Sequence, residues 1–344
     1  MAIERVINGQ PIDENEERVN YSLRPRDLAE FVGQKELVEK ITIALKAAKS
    51  RKEQAEHILF HGPPGLGKTS LAHIISAEMG TKICATSGPA LARAGDLMGI
   101  LTNLEFGDVL FIDEIHRLSA IVEELLYPAM EDFMVDFVVD KGAYAKTIKI
   151  PLKPFTLIGA TTRAGMLSAP LRERFGLFLH VDFYPVEDLQ KILKRAAGLL
   201  QMTVDEESVA LIAQRSRGTP RVANRLLRRV RDFAQVKARG KVNEEIAQDA
   251  LKMEGVDALG LDRLDRKMLT TIIEYYNGGP VGIEALAATL NEEVDTLVDV
   301  VEPYLLKIGF IRRTRQGRLV GPEVYEHLGL RKSGPAEPGQ PSLF

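Results

Sequence analysis

Apolar positions fall into two regimes along the chain. Between about 30 and 182, five short strand-like runs at 57–61, 82–86, 109–113, 155–161 and 178–182, some continuously apolar, are mostly separated by stretches of helical period. Continuous runs of this length read as strands buried on both faces. Their alternation with helices predicts a parallel sheet in an α/β domain. The stretch 134–150 has strand-like residues on both sides of Asp140-Lys141-Gly142 and reads as a β-hairpin. Phe137, Val138 and Val139 give that hairpin an apolar arm, which suits either a packed edge or an exposed docking element. From 183 to 254 strand signals stop, and 187–200, 206–217 and 220–239 read as helices. The last opens with Thr219 as N-cap and Pro220 as first helical residue. After a linker at 254–260, Leu269, Ile272, Ile273 and Tyr276 mark one helix. Ile283, Leu286, Ala287 and Leu290 mark a second, and Val294, Leu297, Val298, Val301 and Leu305 a third. A two-stranded wing at 308–313 and 318–320 follows. Three helices and a hairpin predict a winged-helix domain. The first 30 residues read as a polar arm, in which Leu23-Arg24-Pro25 either contacts a ligand or, as the sequence alone favours, lies on the surface. The tail 332–344, rich in Pro, Gly and Ser, reads as disordered.

The first apolar run leads directly into Gly62-Pro63-Pro64-Gly65-Leu66-Gly67-Lys68-Thr69, which fits G-x-x-x-x-G-K-[ST] at every fixed position. Leu71, Ala72, Ile74, Ile75 and Met79 follow at helical spacing, and Gly80 stands where that helix would stop. A strand, a glycine-rich turn and a helix N-terminus together make an anion site. Gly65 and Gly67 let the backbone close around phosphate oxygens, Lys68 reaches the β- and γ-phosphates, and the Thr69 hydroxyl can ligate Mg²⁺.

Composition adds limits. The chain has 344 residues and a formal net charge of −3, so any nucleic-acid contact must come from a local basic patch. Its one cysteine, Cys84, forms no internal disulfide; with no signal peptide evident, a reducing cytoplasm is expected. No apolar run approaches the ~20 residues of a membrane span. His57 and His61 bracket a strand, and no structural metal site is expected.

Four further signals carry chemistry. Asp113-Glu114 ends the apolar run 109–112, at the strand end where open α/β sheets bind ligands. Asp113 suits the Mg²⁺ hydration shell and Glu114 the attacking water. In Gly159-Ala160-Thr161-Thr162-Arg163 a hydroxyl can sense the γ-phosphate, or simply end a strand. Arg172 and Arg174, around Glu173, suit phosphate contact or an ordinary surface. Arg221 lies in the first turn of its helix, an unfavourable place for a cation unless an anion is shared there. In the winged-helix region the third helix is acidic, with Glu292, Glu293, Asp295, Asp299 and Glu302. The wing is basic, with Lys307, Arg312, Arg313, Arg315 and Arg318. DNA contact is therefore expected from the wing and mostly to phosphates; a protein-binding winged helix is the alternative.

GPPGLGKT, FIDEIHRL, GATTR, PLRERFG and RGTPR, followed by a winged helix, resemble the AAA+ ATPases. More narrowly, TSGP at 86–89, LYPAMEDF at 126–133 and RRTRQGR at 312–318 resemble the RuvB family of Holliday-junction branch-migration motors. The resemblance covers about 18–330. It implies a large AAA+ P-loop NTPase parallel-sheet domain over 1–182, an α-helical lid over 183–254, and a C-terminal winged-helix head over 255–332, with the tail at 333–344. It implies ATP and Mg²⁺, with Gly65, Lys68, Thr69 and Ser70 at the phosphates and metal, and Asp113 and Glu114 as the Walker B pair. Thr162 falls where most AAA+ proteins keep a sensor asparagine. Arg174 matches the arginine finger, acting on a neighbouring subunit, and Arg221 the second sensor. Leu23, Arg24 and Tyr184 match nucleotide-lining positions, and Glu131, Asp132 and Phe133 positions near it across the subunit boundary. Arg313 and Arg318 match DNA-contacting arginines. The hairpin, with Phe137, Val138 and Val139, matches the element that docks on the junction-binding partner RuvA. A homohexameric ring on double-stranded DNA, with the RuvC resolvase in the wider complex, follows from the same resemblance.

Two other classes fit a AAA+ core. A peptide unfoldase would carry an aromatic-apolar-glycine pore loop after the second strand, where this chain has Ser87-Gly88-Pro89-Ala90-Leu91. A scaffold with a relict nucleotide site would not keep Lys68, Asp113, Glu114 and Arg174 together.

Overall fold

The computed structural model describes residues 22–138 and 147–330. These divide into two compact units, one of 22–138, 147–199 and 218–221, the other of 200–217 and 222–330.

The first unit is built on five parallel strands in the order β2-β3-β6-β1-β7: β1 (Ile58–His61), β2 (Ile83–Ser87), β3 (Val109–Asp113), β6 (Thr156–Thr161) and β7 (Leu177–His180). The central strands are buried except at His61 and Asp113, the last residues of β1 and β3, which is why Ile58–Phe60 and Val109–Ile112 are continuous apolar runs rather than alternating ones. Helices α1 (Lys35–Arg51), α2 (Lys68–Met79), α3 (Ala94–Leu101), α4 (Ala120–Glu131) and α5 (Ala169–Glu173) accompany the sheet, and α6 (Val186–Leu199) follows it. Leu59, Leu110, Ile112, Leu126, Phe155 and Leu171 lie in one core cluster between sheet and helices. The expected hairpin is present as β4 (Met134–Val138) antiparallel to β5 (Thr147–Pro151). Its turn, with Val139, lies outside the described residues.

One expectation fails near the N-terminus. Leu23 is buried, not on the surface, and its carbonyl accepts from Arg195 Nη1 at 2.9 Å while Glu30 pairs with the same guanidinium. Arg195 on α6 thus ties this segment down through the backbone, a contact no local pattern carries.

The second unit contains α7 (Glu206–Gln214), most of α8 (Pro220–Lys237) and α9 (Glu244–Met253). A strand pair that the helical reading missed joins β8 (Thr203–Val204) to β9 (Lys241–Val242); two residues per strand are too few for a periodic signal. The same unit holds the winged helix: α10 (Arg263–Tyr276), α11 (Ile283–Leu290), the helix α12 at 294–307, β10 (Ile311–Thr314), β11 (Gly317–Val320) and a further short helix α13 (Pro322–His327). α10 opens on a capping box between Asp262 and Asp265. Asp265 is fully buried and also meets the buried Arg217, whose guanidinium stacks 5.0 Å from the Tyr304 ring. The linker 254–260 is held by Asp257, which accepts from the backbone N–H groups of Leu259 and Leu261. In α12 the segment Leu297–Val301 is π-helical. Pro303 explains it: the residue has no N–H for the carbonyl of Asp299 and its ring crowds that carbonyl. Among the described residues, no helix is long and apolar enough to cross a membrane.

Candidate nucleotide site

The loop between β1 and α2 is held open by backbone geometry. Gly62, Gly65 and Gly67 have φ of 140°, 77° and 104°. A side chain at Gly62 would sit 2.2 Å from the Val181 carbonyl oxygen, so only glycine fits there. Lys68 opens α2 and is buried. Its ammonium donates to the carbonyls of Gly62 and Pro63, both at 2.7 Å. Burial pulls its pKa down to about 8, with Asp113 opposing the shift and Arg221 adding to it.

Asp113 is the last residue of β3, and its Oδ1 accepts from the Glu114 backbone N–H at 2.9 Å. Glu114 has a left-handed backbone, φ 48°, and its carboxylate pairs with Arg117 at 3.0 Å. The end of β2 fixes that turn: a Cβ on Gly88 would come within 2.5 Å of the Glu114 carbonyl oxygen. Thr162 follows β6 directly and is half-buried. Its neighbour Thr161 is fully buried, and its hydroxyl lies 2.9 Å from His116 Nδ1. This links the strand to the turn that carries Glu114, a contact the sequence analysis missed.

The Gly218–Arg221 segment packs on the loop. Arg221 N–H donates to the Gly65 carbonyl at 3.3 Å, and the Gly218 carbonyl accepts from Tyr184 N–H at 2.8 Å. Tyr184 hydroxyl in turn donates to the Leu66 carbonyl. Arg221 is exposed, and partial desolvation by the surrounding protein lowers its pKa, with Asp113 raising it and Arg24 lowering it further. Phe31, which the sequence analysis passed over, lies beside the α-carbon of Gly67. Lys68, Arg221 and Arg24 thus share one electrostatic neighbourhood with the acid Asp113. With the open turn of glycines and a helix N-terminus, that donor set fits a polyphosphate. Thr69 and Ser70 occupy the first turn of α2 behind Lys68.

A second cluster gathers around Arg174. Its guanidinium donates to Glu131 at 3.2 Å and to the Pro170 carbonyl at 2.7 Å, and it stacks 4.4 Å from the Tyr127 ring. Asp132 is exposed, and Phe133 is half-buried, edge-on to Phe155. Arg174 and Glu131, which the resemblance placed together at a subunit boundary, therefore meet within one chain.

In the other unit, Arg313 and Arg318 face each other across the wing. Both bind the carboxylate of Glu302, which is fully buried on α12. The separation of acidic helix from basic wing read in the sequence is thus bridged at this point. Arg312 and Arg315 are exposed.

Three family models match the chain: the Holliday junction DNA helicase RuvB P-loop domain over 23–181, the RuvB AAA lid domain over 184–257, and the RuvB C-terminal winged helix domain over 258–329. A curated relative, the Holliday junction branch migration complex subunit RuvB of Desulfosudis oleivorans, is 58% identical over 314 residues, covering 91% of this chain and 92% of that protein. The solved structure of the Thermotoga maritima RuvB Holliday junction branch migration motor matches with a TM-score of 0.83 at 52% identity, covering 90% of this chain and 99% of that one. A solved variant of the same motor matches with a TM-score of 0.84 and the same coverage.

Proposed function

Because this chain belongs to the RuvB family, and is accordingly a AAA+ P-loop ATPase of the Holliday junction branch migration motor type, we propose that it draws duplex DNA arms through a homohexameric ring in the cytoplasm. In this reading it acts on junctions presented by RuvA, with RuvC in the wider complex. The observation that carries the proposal is the buried Lys68 ammonium at the mouth of an open glycine turn, beside Asp113 and Arg221.

The residue roles in this reading are those the resemblance implies, and the cluster of Lys68, Asp113 and Arg221 supports the nucleotide part of them. Gly65, Lys68, Thr69 and Ser70 bind the ATP phosphates, with Lys68 leaving the carbonyls of Gly62 and Pro63 to do so. Thr69 and Asp113 would hold Mg²⁺, which would supply charge neutralisation at the phosphates. Glu114, released from Arg117, orients the attacking water. Thr162 senses the γ-phosphate with its hydroxyl. Arg221 joins the phosphates from the Gly218–Arg221 segment, so nucleotide occupancy acts on the start of α8. Leu23, Arg24 and Tyr184 line the nucleotide. Arg174 serves a neighbouring subunit, and Glu131, Asp132 and Phe133 lie at that boundary. The wing, through Arg313 and Arg318, holds DNA phosphates. Phe137, Val138 and Val139 of the hairpin contribute to binding RuvA.

A junction-unwinding assay with and without RuvA tests the reading. ATP-dependent unwinding that RuvA stimulates is the expected result. ATPase activity stimulated by unfolded protein instead of DNA would point to an unfoldase.

A further inference from the structure

Arg174 closes the short helix α5, and its surroundings come largely from a different helix. Glu123, Tyr127 and Glu131 are spaced four apart, on one face of α4. Tyr127 offers its ring to the guanidinium, and Glu131 an acceptor. The Tyr127 hydroxyl is itself fixed, 3.2 Å from both Glu123 Oε1 and Ser168 Oγ. Ser168 is the N-cap of α5, its hydroxyl accepting from Leu171 N–H and donating to Glu123. One tyrosine therefore joins both ends of the helix that carries the arginine: its hydroxyl meets the N-cap and its ring meets Arg174. The Arg174 Nε is buried without a hydrogen bond, so the ring face supplies the stabilisation that a second acceptor would otherwise give. Its own helix gives Arg174 one acceptor, the Pro170 carbonyl at 2.7 Å, which leaves the plane of the guanidinium to be set by its other neighbours. A flat aromatic surface holds the guanidinium plane while leaving its outer nitrogens free to change acceptor from Glu131 to a phosphate.

We propose that Tyr127 is the positioning residue of the arginine finger: its ring prearranges Arg174 for insertion into the neighbouring subunit's nucleotide site. This rests on reading Arg174 as a finger that acts in trans. Loss of the ring should slow ATP turnover in the neighbour and leave nucleotide binding at the subunit's own Lys68 intact.

Mixed rings test the direction of the effect. Subunits with Lys68→Ala donate only fingers, and subunits with Arg174→Ala donate only nucleotide sites; their mixture should recover part of the ATPase. Tyr127→Leu is then added to one partner at a time. Placed with Lys68→Ala, it should lower the recovered ATPase about fivefold to twentyfold, in line with a partly desolvated cation–π contact. Placed with Arg174→Ala, it should add no further loss. Tyr127→Phe, which keeps the ring, should retain most of the activity in the finger-donating subunit. Unaltered nucleotide affinity and ring assembly of the Tyr127→Leu chain show that it folds. Equal loss in both placements, or no loss in the finger-donating one, overturns the proposal. If Tyr127→Leu does not fold, Tyr127→Phe decides, and a loss with it as large as that of Arg174→Ala overturns the proposal. Failure of the parent mixture to recover activity, in rings shown to be mixed, overturns the trans reading of Arg174 instead.

Discussion

Arg318 and Glu302 form an ion pair whose carboxylate has no exposure to solvent, and Arg313, opposite Arg318 across the wing, binds the same carboxylate. One acid on α12 therefore fixes the orientation of both wing strands. Removing it strands a guanidinium that is 17% exposed. Breaking a buried pair in this way costs about 3–5 kcal/mol. The loss from Glu302→Ala should fall at or below the low end of that range, because Arg313 is half-exposed and regains water. Urea unfolding measures it; an unchanged midpoint would show that the pair contributes nothing.

The same pairing refines what the wing does with DNA. Each lost phosphate contact flattens the slope of log K against log salt by ~0.9 on duplex DNA. Arg313→Ala and Arg318→Ala should each do so, by similar factors on unrelated sequences, while basal ATPase survives. Arg318→Ala should also lower stability, since it is the more enclosed partner of Glu302. Duplex affinity across a salt series separates the two effects. Slopes unchanged in both variants would move the DNA contact elsewhere and favour a protein-binding head.

Much of this architecture is legible in the chain because its strongest signals are local. The runs at 58–60 and 109–112 are apolar because both faces of their strands are covered, and the glycine turn after Phe60 has few alternative uses. What stayed hidden depends on partners distant in sequence. Glu302 reads as one more acid on a polar helix until β10 and β11 fold over it. Tyr127 carries no local signal of its own until α5 brings Arg174 onto its ring. Leu23 reads as surface until Arg195 binds its carbonyl. The π segment was readable in principle, since Pro303 stands inside a helical pattern.

Lys68 predicts a pH dependence of known sign. Its pKa, lowered by burial to about 8, leaves it charged below pH 8 and losing its proton above. Bound phosphates would hold that proton, so binding takes up a proton only where the free protein has lost one. ATP affinity should be flat below pH 8 and fall by about tenfold per pH unit above it. Without ligand the sign reverses: the depressed pKa costs stability below pH 8, and that cost is relieved as pH rises towards the unfolded value. Fluorescence titration of nucleotide from pH 7 to 10 checks the first part. Lys68→Ala should bind weakly and lack the steep limb; an affinity constant to pH 9.5 in the parent would contradict the assignment.

Glu114 separates binding from turnover. Its carboxylate accepts from Arg117 and does not contribute to the phosphate cradle. Glu114→Gln keeps the side-chain length and suits the same left-handed backbone about as well, so the turn that Gly88 supports should persist. Nucleotide affinity should stay within about twofold of the parent. Turnover should fall by about 10²–10⁴, the usual contribution of a positioned base. Steady-state ATPase beside equilibrium nucleotide binding decides it, and comparable ATPase in the two proteins would remove Glu114 from the mechanism.

Gly65 tests whether the Gly218–Arg221 segment is seated on the phosphate loop as a working part of the site. The residue has φ 77°, and a Cβ there would lie 2.9 Å from Thr219 Cγ2 and 3.0 Å from Arg221 Cβ. Gly65→Ala therefore carries two separate penalties. The left-handed backbone alone costs about 1–2 kcal/mol for an alanine. The methyl clash adds a cost that falls on the segment carrying Arg221, and displacing it also threatens the Arg221 N–H bond to the Gly65 carbonyl. The backbone term lowers stability in the free and the bound protein alike, whereas the clash, by displacing Arg221, should lower nucleotide affinity. Thr219→Ser removes Cγ2 and nothing else near the loop, so it should recover part of the loss in the double variant while having little effect alone. The four affinities form a double-mutant cycle. A coupling energy near zero would mean that the loop and the segment respond to nucleotide independently, and Arg221 would then have to reach the phosphates without help from this contact.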